Sequence, residues 1–138
     1  MNIDSIQTGI VIDHITAGRA MRLYELLDLG SLECSVAIIQ HAVSRKMGRK
    51  DIIKIDADIP VNFDVIGYVD PSATVNIIRE GKLVEKREIG MPGTLVNVIK
   101  CKNPRCITST EQELDHVFRL ADRNRALYRC AYCDTAAK

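Results

Sequence analysis

The sequence predicts an α+β fold: a mixed or antiparallel sheet carrying two helices, followed by a small all-β unit. Three observations carry this. β-forming runs and helical patterns alternate as β-α-β-β-α-β-β up to residue 89. "GMPG" (90–93) then breaks the pattern with the residues that punctuate chains. Beyond it, four of the five cysteines fall within the last 38 residues. Two domains are therefore expected, 1–93 and 94–138.

Each element has a local reason. "GIVIDHI" (9–15) is a short run of β-formers, the mark of a buried strand. Thr16 is placed to cap a following helix. Over 17–29, Ala20, Leu23, Tyr24 and Leu27 recur at helical spacing, and Gly30 stops the pattern. "CSVAIIQHA" (34–42) reads as a strand, "SRKMGRK" (44–50) as a polar turn, and "DIIKIDA" (51–57) as another strand. Pro60 is expected to open a short helix through "VNFDVIGY" (61–68). "ATVNIIRE" (73–80) and "KLVEKREI" (82–89), joined at Gly81, predict a β-hairpin. This order suits a ferredoxin-like sheet with both helices on one face. In the tail, "ITSTEQE" (107–113) reads as a polar turn.

Composition removes several function classes. Net charge is +1, with no Trp, four Tyr and two Phe. Neither a general drive toward nucleic acid nor an aromatic stacking platform is expected. No apolar run approaches a membrane span, and "MNIDSIQTGIVIDHI" does not read as a secretory leader. A cytoplasmic setting with reduced thiols is the expectation. Residues 94–138 carry eight basic and five acidic side chains, so the tail is mildly basic.

The tail's cysteines follow Cys-x4-Cys, 23 intervening residues, then Cys-x2-Cys: Cys101, Cys106, Cys130 and Cys133. A segment this short, with few large apolar groups, needs a staple to fold. One structural Zn²⁺ supplies it when four thiolates converge, giving a zinc-ribbon-like unit with no open coordination position. Two disulfides would be unusual in a reduced compartment. A redox pair at Cys130 and Cys133 normally starts a helix after a strand, which "LYRCAYCD" does not clearly show. Cys34 reads as a small core residue.

In "RKDIIKID" (49–56) a strand period of two sets Lys50, Ile52 and Lys54 on one face and Asp51, Ile53 and Ile55 on the other. The same period groups Lys82, Val84 and Lys86. Cations beside aliphatic side chains suit a flat ring with a phosphate tail, although spacing alone favours a solvated sheet face. In "VIDHI" (11–15), Val11, Asp13 and Ile15 fall on one face and Ile12 and His14 on the other. Asp13 could accept from ribose hydroxyls and His14 could meet a phosphate. A strand-end carboxylate and a satisfied core histidine are the plainer alternatives. No phosphate loop, dinucleotide fingerprint or nucleophile elbow occurs, and no acid–base cluster is evident, so no chemistry of its own is expected.

Taken together, "VIDHI", "MGRKDIIKI" (47–55), "ATVNII" (73–78) and the four-cysteine pattern closely resemble the regulatory chain of aspartate carbamoyltransferase. The match runs nearly end to end in the same order. The resemblance implies a non-catalytic subunit in pyrimidine biosynthesis. Its first domain would bind nucleotide effectors, ATP or CTP. Its zinc domain would dock on catalytic chains, and regulatory homodimers would join catalytic trimers. Carried over by motif, Val11, Asp13, His14, Lys50, Ile52, Lys54, Asn76 and Ile78 would lie at the nucleotide, and Lys86 would reach phosphate. Asp4, Ser5 and Ile6 match more loosely. A zinc ribbon binding nucleic acid through Arg119, Arg123, Arg125 and Arg129 is the alternative of a different class.

Overall fold

The computed structural model describes residues 7–137. The chain separates into two compact units, dividing between Gly90 and Met91.

The first unit holds five strands: β1 (Gly9–Thr16), β2 (Val36–Ser44), β3 (Gly48–Ile55), β4 (Thr74–Arg79) and β5 (Lys82–Glu88). Their order is β2-β3-β1-β4-β5, with every neighbouring pair antiparallel. Two helices, α1 (Ala20–Leu26) and α2 (Phe63–Val69), complete the α+β layer. Leu23, Ile66 and Val69 pack with Ile10, Ile12, Ile15, Ile53, Ile55 and Val75 into one buried cluster. Burial of these branched side chains holds the unit together, at roughly 1.5–3 kcal/mol each. The strand alternation follows: Asp51, Ile53 and Ile55 are buried, and Lys50, Ile52 and Lys54 between them are half-buried on the face without helices.

Element ends differ from the sequence reading for physical reasons. Thr16 does not cap α1. Arg19 occupies the cap position without a side-chain bond, and buried Asp51 accepts from the amides of Gly18 at 2.9 Å and Ala20 at 3.1 Å. The helix stops at Leu26; a 3-10 turn (Leu29–Ser31) follows left-handed Asp28. Pro60 does not start α2. Asn62 does, its side chain accepting from the Asp64 amide at 3.0 Å, and Asp64 places a carboxylate in the first turn. β3 begins at Gly48, so the turn before it is only three residues long. Cys34 lies just outside β2, half-buried against the core.

Three single-residue bulges interrupt the ladder. β1 gains a residue between Ile12 and Ile15, where His14 has φ 57°. β2 gains one between Ile39 and Ala42, where His41 has φ 60°. The first two flank Asp51 on β3, whose second oxygen accepts from the His41 amide at 3.0 Å. The third places Ile78 opposite Leu83 and Ile77 opposite Glu85, leaving Val84 as the extra residue of β5. Glu80 (φ 53°) and Gly81 (φ 75°) form the two-residue turn of that hairpin. Two positive φ values in succession match the twist of the strands and demand glycine at the second position.

The second unit carries β6 (Thr94–Val96), β7 (Val117–Asp122) and β8 (Leu127–Cys130) as an antiparallel sheet in that order. Leu95, Phe118 and Tyr128 form its small core. A single helical turn, α3 (Ile107–Thr110), stands where a polar turn was expected. Among the described residues no helix is long and apolar enough to cross a membrane.

A candidate ligand face and a metal centre

The helix-free face of the first sheet gathers the residues singled out in the sequence. Antiparallel partners align their side chains on one side of the sheet. Register places Lys54 opposite Val11, Val11 opposite Asn76, and Asn76 opposite Lys86. These four residues therefore form one row across β3, β1, β4 and β5. Ile52 and Lys50 extend the face along β3, and Ile78 extends it along β4. Lys50 Nζ lies 3.0 Å from Asp13 Oδ1, with both side chains about four-fifths buried. Asn76 Oδ1 is buried and has no hydrogen-bond partner. A buried acceptor without a donor costs about 1–3 kcal/mol, so this face offers a place for one.

Two groupings read from strand period change. The β1 bulge returns Ile15 to the core, opposite Asp51, so Ile15 does not share a face with Val11 and Asp13. His14 bridges instead. Its amide donates to Asp13 Oδ1 at 2.6 Å, and its Nδ1 lies 3.0 Å from Thr74 Oγ1. The β5 bulge breaks the grouping of Lys82, Val84 and Lys86. Lys86 stays opposite Asn76, Leu83 joins the face opposite Ile78, and Lys82 pairs with Arg79 at the turn. Leu83 is a face residue that period-two reasoning missed, because an inserted residue leaves no periodic signal. Asp4, Ser5 and Ile6 lie outside the described residues.

Asp13 is not the carboxylate that serves the strand end and helix start. Asp51 takes the helix amides, and Asp70 takes the Thr16 amide. Burial pushes the Asp70 carboxyl upward. Hydrogen bonds from Ser72 and Thr16, hydroxyls and amides alike, outweigh it and hold the group below its ordinary 3.8.

In the second unit, Cys101, Cys106, Cys130 and Cys133 converge with all four sulfurs within 4.8 Å of one another. The Sγ atoms of Cys101 and Cys133 are 3.5 Å apart, and those of Cys106 and Cys130 are 3.7 Å apart. A disulfide would need about 2.05 Å. Four thiolates at about 2.3 Å around a tetrahedral ion stand about 3.8 Å from one another. The spacing fits a metal and not a pair of bridges. Local turns set it: the Cys106 amide donates to Asn103 O at 3.0 Å, and the Cys130 amide to Thr135 O at 2.9 Å. Thr108 Oγ1 donates to Cys106 Sγ at 3.1 Å and orients that sulfur. Burial pushes the Cys101 thiol up to about 12, with the neighbouring sulfurs adding to it. The Thr135 hydroxyl and amide draw Cys133 down to about 6. Four sulfurs this close together call for a shared cation. An ion held by all four sulfurs would have no open coordination position.

Of the four tail arginines, Arg119, Arg123 and Arg125 are exposed, whereas Arg129 donates to the Asp134 carbonyl at 2.9 Å. No aromatic row accompanies them among the described residues.

Comparison with known proteins bears on both units. Residues 1–90 match the family model of the aspartate carbamoyltransferase regulatory chain, allosteric domain. Residues 93–138 match that of the same chain's metal binding domain. Aspartate carbamoyltransferase regulatory chains of Clostridium tetani and Clostridium acetobutylicum are 46% and 44% identical over the whole of this chain, covering 96% and 94% of their own lengths. That of Bifidobacterium longum is 44% identical, again over the whole chain, covering 99% of its own length. The chain belongs to the family of aspartate carbamoyltransferase regulatory chains, the non-catalytic subunits of that enzyme.

Proposed function

We propose that the first unit senses nucleotides and the second, knotted by Zn²⁺, couples it to the catalytic chain. The observation that carries this reading is the row Lys54–Val11–Asn76–Lys86, with its buried acceptor at Asn76 Oδ1. Val11, Ile52 and Ile78 supply aliphatic surface for a flat base. Asn76 Oδ1 calls for a donor, which the exocyclic amines of adenine and cytosine both provide. Lys50, Lys54 and Lys86 supply cations for phosphates, and Asp13 with His14 borders the site where ribose and phosphate meet. ATP and CTP thus share one recognition chemistry.

Allosteric control follows from unequal binding. A nucleotide shifts the enzyme between quaternary states only by the difference in its affinity for them, typically about 1–3 kcal/mol. The catalytic chain transfers the carbamoyl group; this chain contributes no reacting group. Zinc fits the thiolate donor set best among common ions, and a thiolate centre suits the reducing cytoplasm. The metal would hold the turns at Asn103 and Thr135 in place, and with them the surface that grips the partner.

A regulatory homodimer is part of the reading. The two outer strands differ in kind. β5 is fully exposed and rich in charge: Lys82, Glu85, Lys86, Arg87 and Glu88. β2 carries no Asp, Glu, Lys or Arg, and its Val43 is 76% exposed. Charges on an edge prevent pairing, and an uncharged apolar edge invites it. A second copy placed along β2 would satisfy its open hydrogen bonds.

The test is calorimetric titration of the complex with ATP, CTP and their nucleosides. Lys86→Ala should weaken the triphosphates at least several-fold more than the nucleosides, because only the former present charge to it. Absence of nucleotide binding, or equal losses for both, would overturn the assignment of this face.

A further inference from the structure

Ser72 holds two acceptors with one proton. Its Oγ lies 2.6 Å from Asp70 Oδ1 and 3.2 Å from the carbonyl oxygen of His14. A hydroxyl donates a single hydrogen, so the two compete. Asp70 is well supplied without it: the Ser72 amide reaches Oδ1 at 3.0 Å, and the Thr16 amide reaches Oδ2. His14 sits in the left-handed bulge, a conformation costing about 1 kcal/mol or more for a non-glycine residue. Its restraints converge on few groups. Asp13 Oδ1 accepts from its amide, and Thr74 Oγ1 meets its ring.

The same Asp13 carboxylate pairs with Lys50, at 3.0 Å to one oxygen and 3.3 Å to the other. An anionic phosphate at Lys50 competes with Asp13 for that ammonium. A weaker hold of Asp13 on the His14 amide would leave the His14 peptide freer to turn. On the other side, the segment 70–74 is tied to the end of the unit. Gly90 N donates to Pro71 O at 3.2 Å, and Ile89 N donates to Ala73 O at 3.3 Å. Ser72 lies between those two anchor points.

We propose that Ser72 is the positioning residue that carries nucleotide occupancy from the Asp13–His14 bulge to the chain exit at Ile89–Gly90, its hydroxyl hydrogen bond passing between Asp70 and the His14 carbonyl. This rests on the nucleotide reading of the face and adds the route by which the site reports. A hydroxyl within reach of two acceptors would supply what allosteric coupling requires, an element that the ligand can bias between two arrangements.

The experiment uses the complete enzyme assembled with wild-type, Ser72→Ala, Ser72→Thr or Asp70→Asn regulatory chains. Calorimetry reads ATP affinity, and activity assays read the shift in half-saturating aspartate on adding saturating ATP. Ser72→Ala should bind ATP within about threefold of wild type, yet lose more than half of the shift, and Ser72→Thr should restore it. Asp70→Asn relieves the competition for the hydroxyl and should likewise keep affinity and lose response. A full shift in Ser72→Ala sinks the route while leaving the nucleotide site standing. Equal loss of affinity and response makes Ser72 a mere part of the site wall and also overturns the proposal. Failure of the wild-type complex to bind ATP would overturn the site reading itself.

Discussion

Removal of the Asp51 carboxylate tests the reasoning about the sheet most directly. Asp51 is wholly buried and accepts three backbone amides: Gly18 at 2.9 Å, Ala20 at 3.1 Å and His41 at 3.0 Å. Hydrogen bonds to a charged acceptor are worth about 1.5–3 kcal/mol each, so the three sum to roughly 5–9 kcal/mol gross. Against this stands the desolvation of a buried carboxylate, several kcal/mol. After Asp51→Ala, exposed Gly18 and His41 can regain water, whereas the amide of buried Ala20 cannot. The net loss expected is about 2–4 kcal/mol, a large share of a small domain's stability. Asp51→Asn should cost nearly as much, because its amide nitrogen presents hydrogens to donors. Exposed Asp56→Ala is the control and should stay within about 0.5 kcal/mol. Urea unfolding followed on the first unit reads the difference. With a slope of about 1.5 kcal/mol/M, the midpoint should fall by roughly 2 M. A loss under about 1 kcal/mol for both variants would refute the view that Asp51 holds the two bulges and the start of α1.

Acid stability should depend on Asp70. Its carboxyl is held below the ordinary 3.8, so the native form favours the carboxylate. That stabilisation is complete above the unfolded value and disappears as the pH falls from 3.8 toward the lower native one. Unfolding titrations of Asp70→Asn should therefore show a flatter pH dependence below pH 4 than the wild type; an unchanged slope would contradict the hydrogen bonds to Ser72 and Thr16. Cys101→Ser should release the metal, unfold residues 91–138 and free the catalytic partner while the first sheet keeps its amide protection. Elemental analysis and hydrogen exchange separate those effects, and loss of protection in the first unit would argue against independent folding. Val43→Lys should turn the proposed regulatory dimer into monomer in sedimentation experiments, since a buried ammonium on the β2 edge has no partner; a persistent dimer would place the interface elsewhere.

The candidate ligand face was partly legible because strand period is local. Lys50, Ile52 and Lys54 separate from Asp51, Ile53 and Ile55 through backbone geometry alone, and the structure keeps that separation. The four cysteines were legible because a segment with so little apolar surface needs a staple, and two short turns can each aim two sulfurs. What spacing could not carry was how the strands align. Whether Lys86 or Glu85 stands opposite Asn76 depends on one inserted residue in β5, invisible to any periodic test. The start of α1 was misread for the same reason: its amides are satisfied by Asp51, 31 residues from Ala20, and not by a neighbour such as Thr16.

By itself the sequence determined which residues of a strand share a face and which cysteines pair across a short turn, since each rests on near neighbours; it set the break at 93/94, three residues beyond where the structure divides the chain. Only the tertiary structure decided the three bulges, and the register that brings Lys54, Val11, Asn76 and Lys86 into one row. Those choices are made by pairing energies and buried hydrogen bonds between residues distant in sequence, and a strand read alone contains neither.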